Sequence, residues 1–299
     1  MRLGAREWRY HTLCAQAVIY SCPTRIQPAI ASAASHVEPY AYPLLALVEE
    51  REPRMLIHRD GDVIEMMDDL AQDDAGLRRS LADIRRINTI LGWRRYAVSM
   101  VARRVRASGV RSFSLLDLAS GSADIPLAIA AWARRAGIGA RIVVSDIHPV
   151  MLAVAREQTR NTPEIRVETC DALAPHYPDG SFDIALCTLA LHHFSPDDAT
   201  HILRGMARVG RRVMVFDLAR ARLAHLGALA MTRVLRMDPI TRFDAPASVR
   251  RAYTLAEMRA LADRAGLRDA RVTMRFPYRL VLEAPGTAPT ESTKEGANG

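Results

Sequence analysis

The sequence predicts a doubly wound α/β fold: a mostly parallel seven-stranded sheet that ends in an antiparallel hairpin strand. Three observations carry this. Short apolar runs at 114–118, 142–146, 165–170, 184–188 and 213–217 alternate with helical stretches, the pattern of a parallel sheet covered on both faces. The first run contains Asp117 and ends in the small residues 119–123 before an amphipathic segment, the reading of a buried strand, a tight turn and a helix start. Two more strand-like runs, 270–275 and 278–283, are too close in sequence for a crossover and must pair antiparallel.

The elements follow in order. Leu77, Leu81, Ile84, Ile87 and Leu91 recur every three or four residues, so a helix with one apolar face precedes Gly92, and a second runs over about 93–107. Helices are then expected at 125–136, 149–159 and 196–209, the last with a clean stripe of Ala199, Ile202, Leu203, Met206 and Ala207. A further helix over about 254–265 stops at Gly266. Residues 1–54 break this regularity, with Pro23, Pro28, Pro39, Pro43 and Pro53 and no apolar period. They are expected to be poorly ordered, or to be upstream sequence with Met55, Met66 or Met67 as the beginning. The expected organisation is a poorly ordered extension over 1–66, a helical cap over 67–110, the main domain over 111–284 with a helical insertion at 219–253, and a disordered tail over 285–299.

Composition removes several function classes. At 299 residues there is room for one large α/β domain with extensions. The net charge of +8 comes almost entirely from arginine, spread as pairs along helix faces rather than clustered near aromatics, so nucleic acid is not an expected partner. Cys14, Cys22, Cys170 and Cys187 form no C-x-x-C pair and fit a reducing cytoplasm. No apolar run approaches the roughly 18 residues of a membrane span, and the start is a poor export signal.

Ligands of open α/β sheets bind beyond the carboxyl ends of the strands. Acids close four of the five parallel strands: Asp117, Asp146, Asp171 and Asp217. A buried carboxylate needs a partner, so this is not a packing requirement. Asp146 falls 25 residues past Gly121, the placement of a ribose-holding acid. A dinucleotide cradle wants three glycines, and only Gly121 stands between Ala119 and Ala123. Asp117 near the turn suits a cationic ammonium, and Asp171 an adenine amine. A nucleoside with a cationic amino-acid tail fits better than a dinucleotide.

Over roughly 112–283 the chain resembles the class I S-adenosylmethionine-dependent methyltransferases. The resemblance rests on Leu115-Leu116-Asp117-x-Ala119-x-Gly121-x-Ala123-Asp124, Asp146-Ile147-x-Pro149-x-Met151-Leu152, Cys170-Asp171-Ala172, Phe182-Asp183-Ile184 and Leu191-His192-His193-Phe194. Asp83-Ile84-Arg85-Arg86-Ile87-Asn88 and the run 276–282 place it near the branch acting on quinones, polyketide phenols and other lipophilic small molecules. The resemblance implies a Rossmann-like methyltransferase fold and S-adenosylmethionine as cofactor. Ala119, Ser120, Gly121 and Ala123 would pass under the methionine moiety, with Asp117 near its ammonium. Asp146 and Ile147 would meet the ribose, Asp171 and Ala172 the adenine, and Thr188 and Leu189 the sulfonium and substrate. If either alanine of the turn needs a positive φ, it costs on the order of 1 kcal/mol.

The expected activity is methyl transfer to an O or C nucleophile of an aromatic, quinone-like or polyketide acceptor, as in secondary metabolism. His192 and His193 are the candidate catalytic residues, one as general base. Adjacent residues at a strand end point opposite ways, so one is expected to pack and the other to face the cleft. No spacing supplies the converging ligands of a metal site, and none is expected. His148 reads as a loop residue. In the insertion, Leu223, Leu226, Leu229, Ala230, Val234 and Met237 make an apolar helix face ringed by arginines, read as a lid, a membrane-touching surface or an ordinary covering helix. Arg242, Asp244, Ser248, Arg250, Arg251 and Tyr253 form a polar segment able to orient an acceptor oxygen. The competing readings are an NAD-linked reductase and a catalytically degenerate fold kept as a partner subunit. Acceptor identity and oligomeric state are not legible.

Overall fold

A computed structural model describes residues 58–69 and 74–287. Helices α1 (Asp74–Ile90) and α2 (Trp93–Ala107) lead in, separated by Gly92 at φ 72°. The alternating region gives β1 (Ser112–Leu118), α3 (Asp124–Arg135), β2 (Gly139–Asp146), α4 (Pro149–Thr159), β3 (Ile165–Thr169) and β4 (Ile184–Thr188). It continues with α5 (Pro196–Val209) and β5 (Arg212–Leu218). The insertion is two helices, α6 (Arg222–Val234) and α7 (Pro239–Arg251), before α8 (Leu255–Arg264), β6 (Arg271–Arg275) and β7 (Arg279–Pro285).

The seven strands lie in the order β3-β2-β1-β4-β5-β7-β6. The first five in sequence are parallel, while β7 runs antiparallel to both β5 and β6. Leu116, Leu118, Val213 and Val215 pack on one face with Ile202, Leu203 and Met206 of α5. Their neighbours Leu115, Met214 and Phe216 turn to the other face, against Val101 of α2 and Ile129 of α3. Alternate side chains of each strand are therefore both buried, which is why the sequence runs read as continuously apolar rather than alternating. Cys187 lies in β4 and Cys170 just past β3, both buried free thiols; Cys14 and Cys22 lie outside the described residues.

Residues 1–57 and 288–299 lie outside the described residues, and with them most of the expected extension and tail. The parts that are described differ from expectation. The chain remains bonded past residue 284: Gly286 N–H donates to Arg211 O and Thr287 N–H to Ala207 O, both at 2.8 Å. Residues 58–66 are anchored at Arg59 and Glu65, while His58, Gly61, Asp62 and Ile64 are exposed. Arg59 donates to the carbonyls of Arg251 (2.8 Å) and Phe194 (2.8 Å), and Glu65 is fully buried. This strap is held by charge and hydrogen bonds, which leave no apolar period to read in the sequence. A start at Met66 or Met67 would remove both residues. Among the described residues no helix is long and apolar enough to cross a membrane.

Candidate active site

Strand β1 is followed toward β2 on one side and flanked by β4 on the other, so the strand order switches between β1 and β4. A cavity of about 760 Å³ opens beyond their carboxyl ends, within the size range of small-molecule sites.

Its floor is the turn after β1. Asp117 is 1% exposed; its Oδ2 accepts from Ser120 Oγ, and its Oδ1 has no partner. Burial raises its pKa to about 7, and the nearby charges of Asp124 and Asp146 push the same way. Ala119, Gly121 and Ala123 all take left-handed φ values, 52°, 56° and 61°, so both alanines carry the strain anticipated for them. A Cβ on Gly121 would meet nothing within 4 Å: the main chain there faces open space. Ser120 N–H donates to Ser145 O at 3.0 Å, fixing the turn to β2.

Asp146 organises the neighbouring strand end. Its Oδ2 accepts from Gly121 N–H (2.9 Å), and its Oδ1 from Ile147 N–H (2.8 Å) and His148 N–H (2.9 Å). His148 is not a simple loop residue. It lines the cavity, is buried and caps α4 by accepting from Val150 N–H (3.2 Å), while its Nε2 is buried without a hydrogen bond. At the end of β4 the Thr188 hydroxyl lies near enough to Asp117 to favour its charged form. Yet Thr188 Oγ1 and Asp117 Oδ1 are both buried without a hydrogen bond.

Of the expected cofactor contacts, Asp117, Ala119, Ser120 and Gly121 line the cavity, as do Asp146, Ile147, Thr188 and Leu189. Three do not. Ala123 is fully buried and packs among α2 and α3. Asp171 is exposed and its Oδ1 accepts from Leu173 N–H at 2.9 Å, closing its own turn. Ala172 packs into the core on the α5 side.

The far wall holds the histidines, and here the expected divergence of the pair is corrected. They sit in a 3-10 turn, Leu191–His193, not in extended chain, so the two rings lie side by side with centroids 4.4 Å apart. Asp217, buried at the end of β5, grips His192 twice: Oδ1 lies 2.6 Å from Nδ1 and Oδ2 accepts the backbone N–H at 2.9 Å. With the Nδ1 proton given to Asp217, Nε2 is left to take a proton. His193 differs. Burial alone would lower its pKa, but Glu65 and Asp68, the latter 3.0 Å from Nδ1, outweigh that and raise it to about 9. His193 is thus an imidazolium at neutral pH, with no lone pair left to accept a proton.

Glu65 and Asp68 escaped the sequence reading. Glu65 Oε2 accepts from Ser248 Oγ (2.7 Å), while Oε1 is buried and unpartnered. That oxygen stands 3.9 Å from His192 Nε2, 3.8 Å from His193 Nδ1 and 3.9 Å from Arg251 Nε. Glu65, His192 and His193 thereby bring three metal-ligand-type atoms within 4.8 Å of one another, a convergence no sequence spacing announced. The Arg251 guanidinium and the His193 imidazolium already meet the negative charge at that point. The polar segment of α7 proves to be committed elsewhere: Asp244 accepts from the N–H groups of Met66 (2.7 Å) and Met67 (3.0 Å), and Arg251 bonds Asp68 at 3.2 Å. Asp244 and Arg251 thus anchor the strap, while Asp244 and Ser248 also line the cavity and Arg242 is exposed.

The remaining walls are apolar. Leu81, Ile84 and Ile87 of α1, Leu91 just past it, and Ala224, Ala228 and Met231 of α6 line them, whereas Leu77 turns away from the cavity to pack with Val150 and Val154 of α4.

Residues 115–213 match the family model described as a methyltransferase domain. The demethylmenaquinone methyltransferase of Thermus thermophilus is 31% identical over 128 residues, 42% of this chain and 54% of the relative. The ubiquinone/menaquinone biosynthesis C-methyltransferase UbiE of Pectobacterium atrosepticum is 30% identical over 144 residues, 46% of this chain and 53% of the relative. The chain spans about half the length of these curated relatives. Among solved structures, magnesium protoporphyrin IX methyltransferase from Synechocystis with bound SAM aligns at a TM-score of 0.47 and 19% identity, covering 68% of this chain and 84% of that one.

Proposed function

For a chain whose residues 115–213 match a methyltransferase-domain family model, we propose an enzyme that moves a methyl group from S-adenosylmethionine to an O or C nucleophile of a small lipophilic acceptor. One observation supports this above the rest. A bare turn and two unsatisfied buried oxygens, Asp117 Oδ1 and Thr188 Oγ1, share one cavity with a carboxylate-held histidine and apolar walls.

The residues present fit this cofactor. An orphaned carboxylate oxygen at 1% exposure is satisfied by an ammonium, and the open space before Gly121 admits a ligand against the main chain. When bound, S-adenosylmethionine supplies an electrophilic methyl group on a sulfonium. Asp117 and Thr188 would hold the amino-acid end, and Asp146, already accepting from three backbone N–H groups, would have one lone pair left for a ribose hydroxyl. His192 Nε2 takes a proton from the acceptor, and Asp217 stabilises the imidazolium so formed. Ile84, Ile87 and Leu91 exclude water and hold the acceptor in line, so that positioning supplies much of the rate. The lipophilic character of the acceptor rests on those walls and on the quinone enzymes among the relatives.

Calorimetric titration with S-adenosylhomocysteine and with NADH tests the reading. Binding of the first alone supports methyl transfer. Binding of NADH alone points to a reductase, and binding of neither to a non-catalytic fold.

A further inference from the structure

Helix α6 is inside out. A helix covering a globular core turns its apolar stripe inward and its polar face to water. The buried side of α6 is small or polar, Ala228 and Thr232. Leu226 is 57% exposed, Leu223 54% and Val234 78%, and with Ala230 they follow the three- and four-residue spacing of a single outward face. Neighbouring Phe243 at the start of α7 is 47% exposed as well. Of the stripe expected from sequence, Met237 is buried and Leu229 half-buried, and the ordinary covering-helix reading fails for Leu223, Leu226, Ala230 and Val234.

The charge around the stripe identifies what covers it. Arg222 and Arg233 are exposed on one flank of the stripe, and Arg236 and Arg242 are exposed in the residues that follow α6. The single acid within residues 219–243 is Asp238, and it is buried against Arg79 at 2.7 Å. An apolar face flanked by uncompensated arginines matches an interfacial helix on an anionic bilayer. A second copy of the chain would bring the same arginines against themselves. The stripe also adjoins the cavity, because Leu223 borders both.

We propose that the outward face of α6, with Arg222, Arg233, Arg236 and Arg242, docks on an anionic lipid surface and lets a lipophilic acceptor pass from the bilayer into the cavity. The docking stands on geometry alone; the passage of an acceptor rests on the function proposed above.

The test is co-sedimentation of the full chain with vesicles of phosphatidylcholine alone and of phosphatidylcholine with phosphatidylglycerol. Binding is expected to be at least about tenfold stronger to the anionic vesicles, and to weaken with salt. The double variant L226E/V234E should lose that binding while keeping the circular dichroism and the S-adenosylhomocysteine affinity of the parent. Arg233→Glu should lower the preference for anionic vesicles. Failure of the parent to sediment overturns the proposal, as does a double variant that sediments like the parent. A dimer seen by light scattering that the double variant abolishes, without vesicle binding, assigns the face to a second copy and overturns it too. The cofactor titration is independent: its failure beside intact vesicle binding removes the proposed activity and leaves the docking surface standing.

Discussion

His192 Nδ1 stands 2.6 Å from Asp217 Oδ1, and the same carboxylate takes the His192 backbone N–H at 2.9 Å. The ring is therefore fixed in orientation from the buried side, and His192 lines the cavity with Nε2 3.9 Å from Glu65 Oε1. His192→Ala should lower kcat by about 10²–10⁴-fold, the usual contribution of a positioned general base. Its affinity for S-adenosylhomocysteine should stay within about twofold, because the loss falls on the transition state rather than on cofactor binding. Asp217→Asn should lower kcat as well, since the ring loses its carboxylate partner. An unchanged kcat in the alanine variant would remove His192 from the mechanism.

Asp117, proposed to hold the cofactor's ammonium, should make cofactor affinity depend on pH. Its pKa is raised to about 7 by burial, and a cationic ligand favours its charged form. Affinity for S-adenosylhomocysteine should rise as pH climbs toward about 7 and level off above it. Asp117→Asn should flatten that slope and weaken binding at pH 8 by about 10- to 100-fold, the worth of one charged hydrogen bond. Stability runs the other way. A carboxylate with a raised pKa contributes most below its ordinary value of 3.8, and the contribution is lost as pH rises through about 7. The asparagine variant should therefore gain in Tm on the parent between pH 4 and pH 8. Calorimetry across that range checks both signs.

Ala119 sits in left-handed space at φ 52° with its side chain half-buried. Ala119→Gly relieves about 1 kcal/mol of backbone strain. In a domain of this size that corresponds to about 2 °C in Tm. A fall in Tm would mean that the methyl group's contacts outweigh the strain. Ala123 is the poorer target, because its fully buried methyl also fills the core.

The turn was legible because its physics is local: small residues between a strand and a helix leave few other structures. Asp117 and Asp146 were legible for the same reason, as acids ending apolar runs. Glu65 was not. It reaches His192 from 127 positions away in sequence, on a strap that Arg59, Asp68 and Asp244 hold through long-range ion pairs and hydrogen bonds. The histidines misled for a different reason. Two-residue alternation applies to extended chain, and Leu191–His193 is a 3-10 turn, which puts both rings on one side. Asp171 lies two residues past β3, the edge strand, where it is exposed and its carboxylate accepts from Leu173 N–H instead of lining the cavity.

His193 ties the strap to the site through its charge. Glu65, Asp68 and Arg251 are the charged groups facing it, and the two carboxylates prevail over burial and Arg251 in raising its pKa to about 9. A histidine with a raised pKa contributes its full stability below its ordinary 6.5 and loses it as pH rises through about 9. The pairing of Asp68 with the imidazolium should therefore weaken between pH 6.5 and 9, and Met66–Asp68 with it. Amide exchange at Met66 and Met67, corrected for the intrinsic pH dependence of exchange, should accelerate across that window, while amides in β1 keep their protection. Asp68→Asn removes one of the two carboxylates and should move the midpoint to lower pH. If exchange at Met66 and Met67 tracks that of β1 across the window, the imidazolium does not hold the strap.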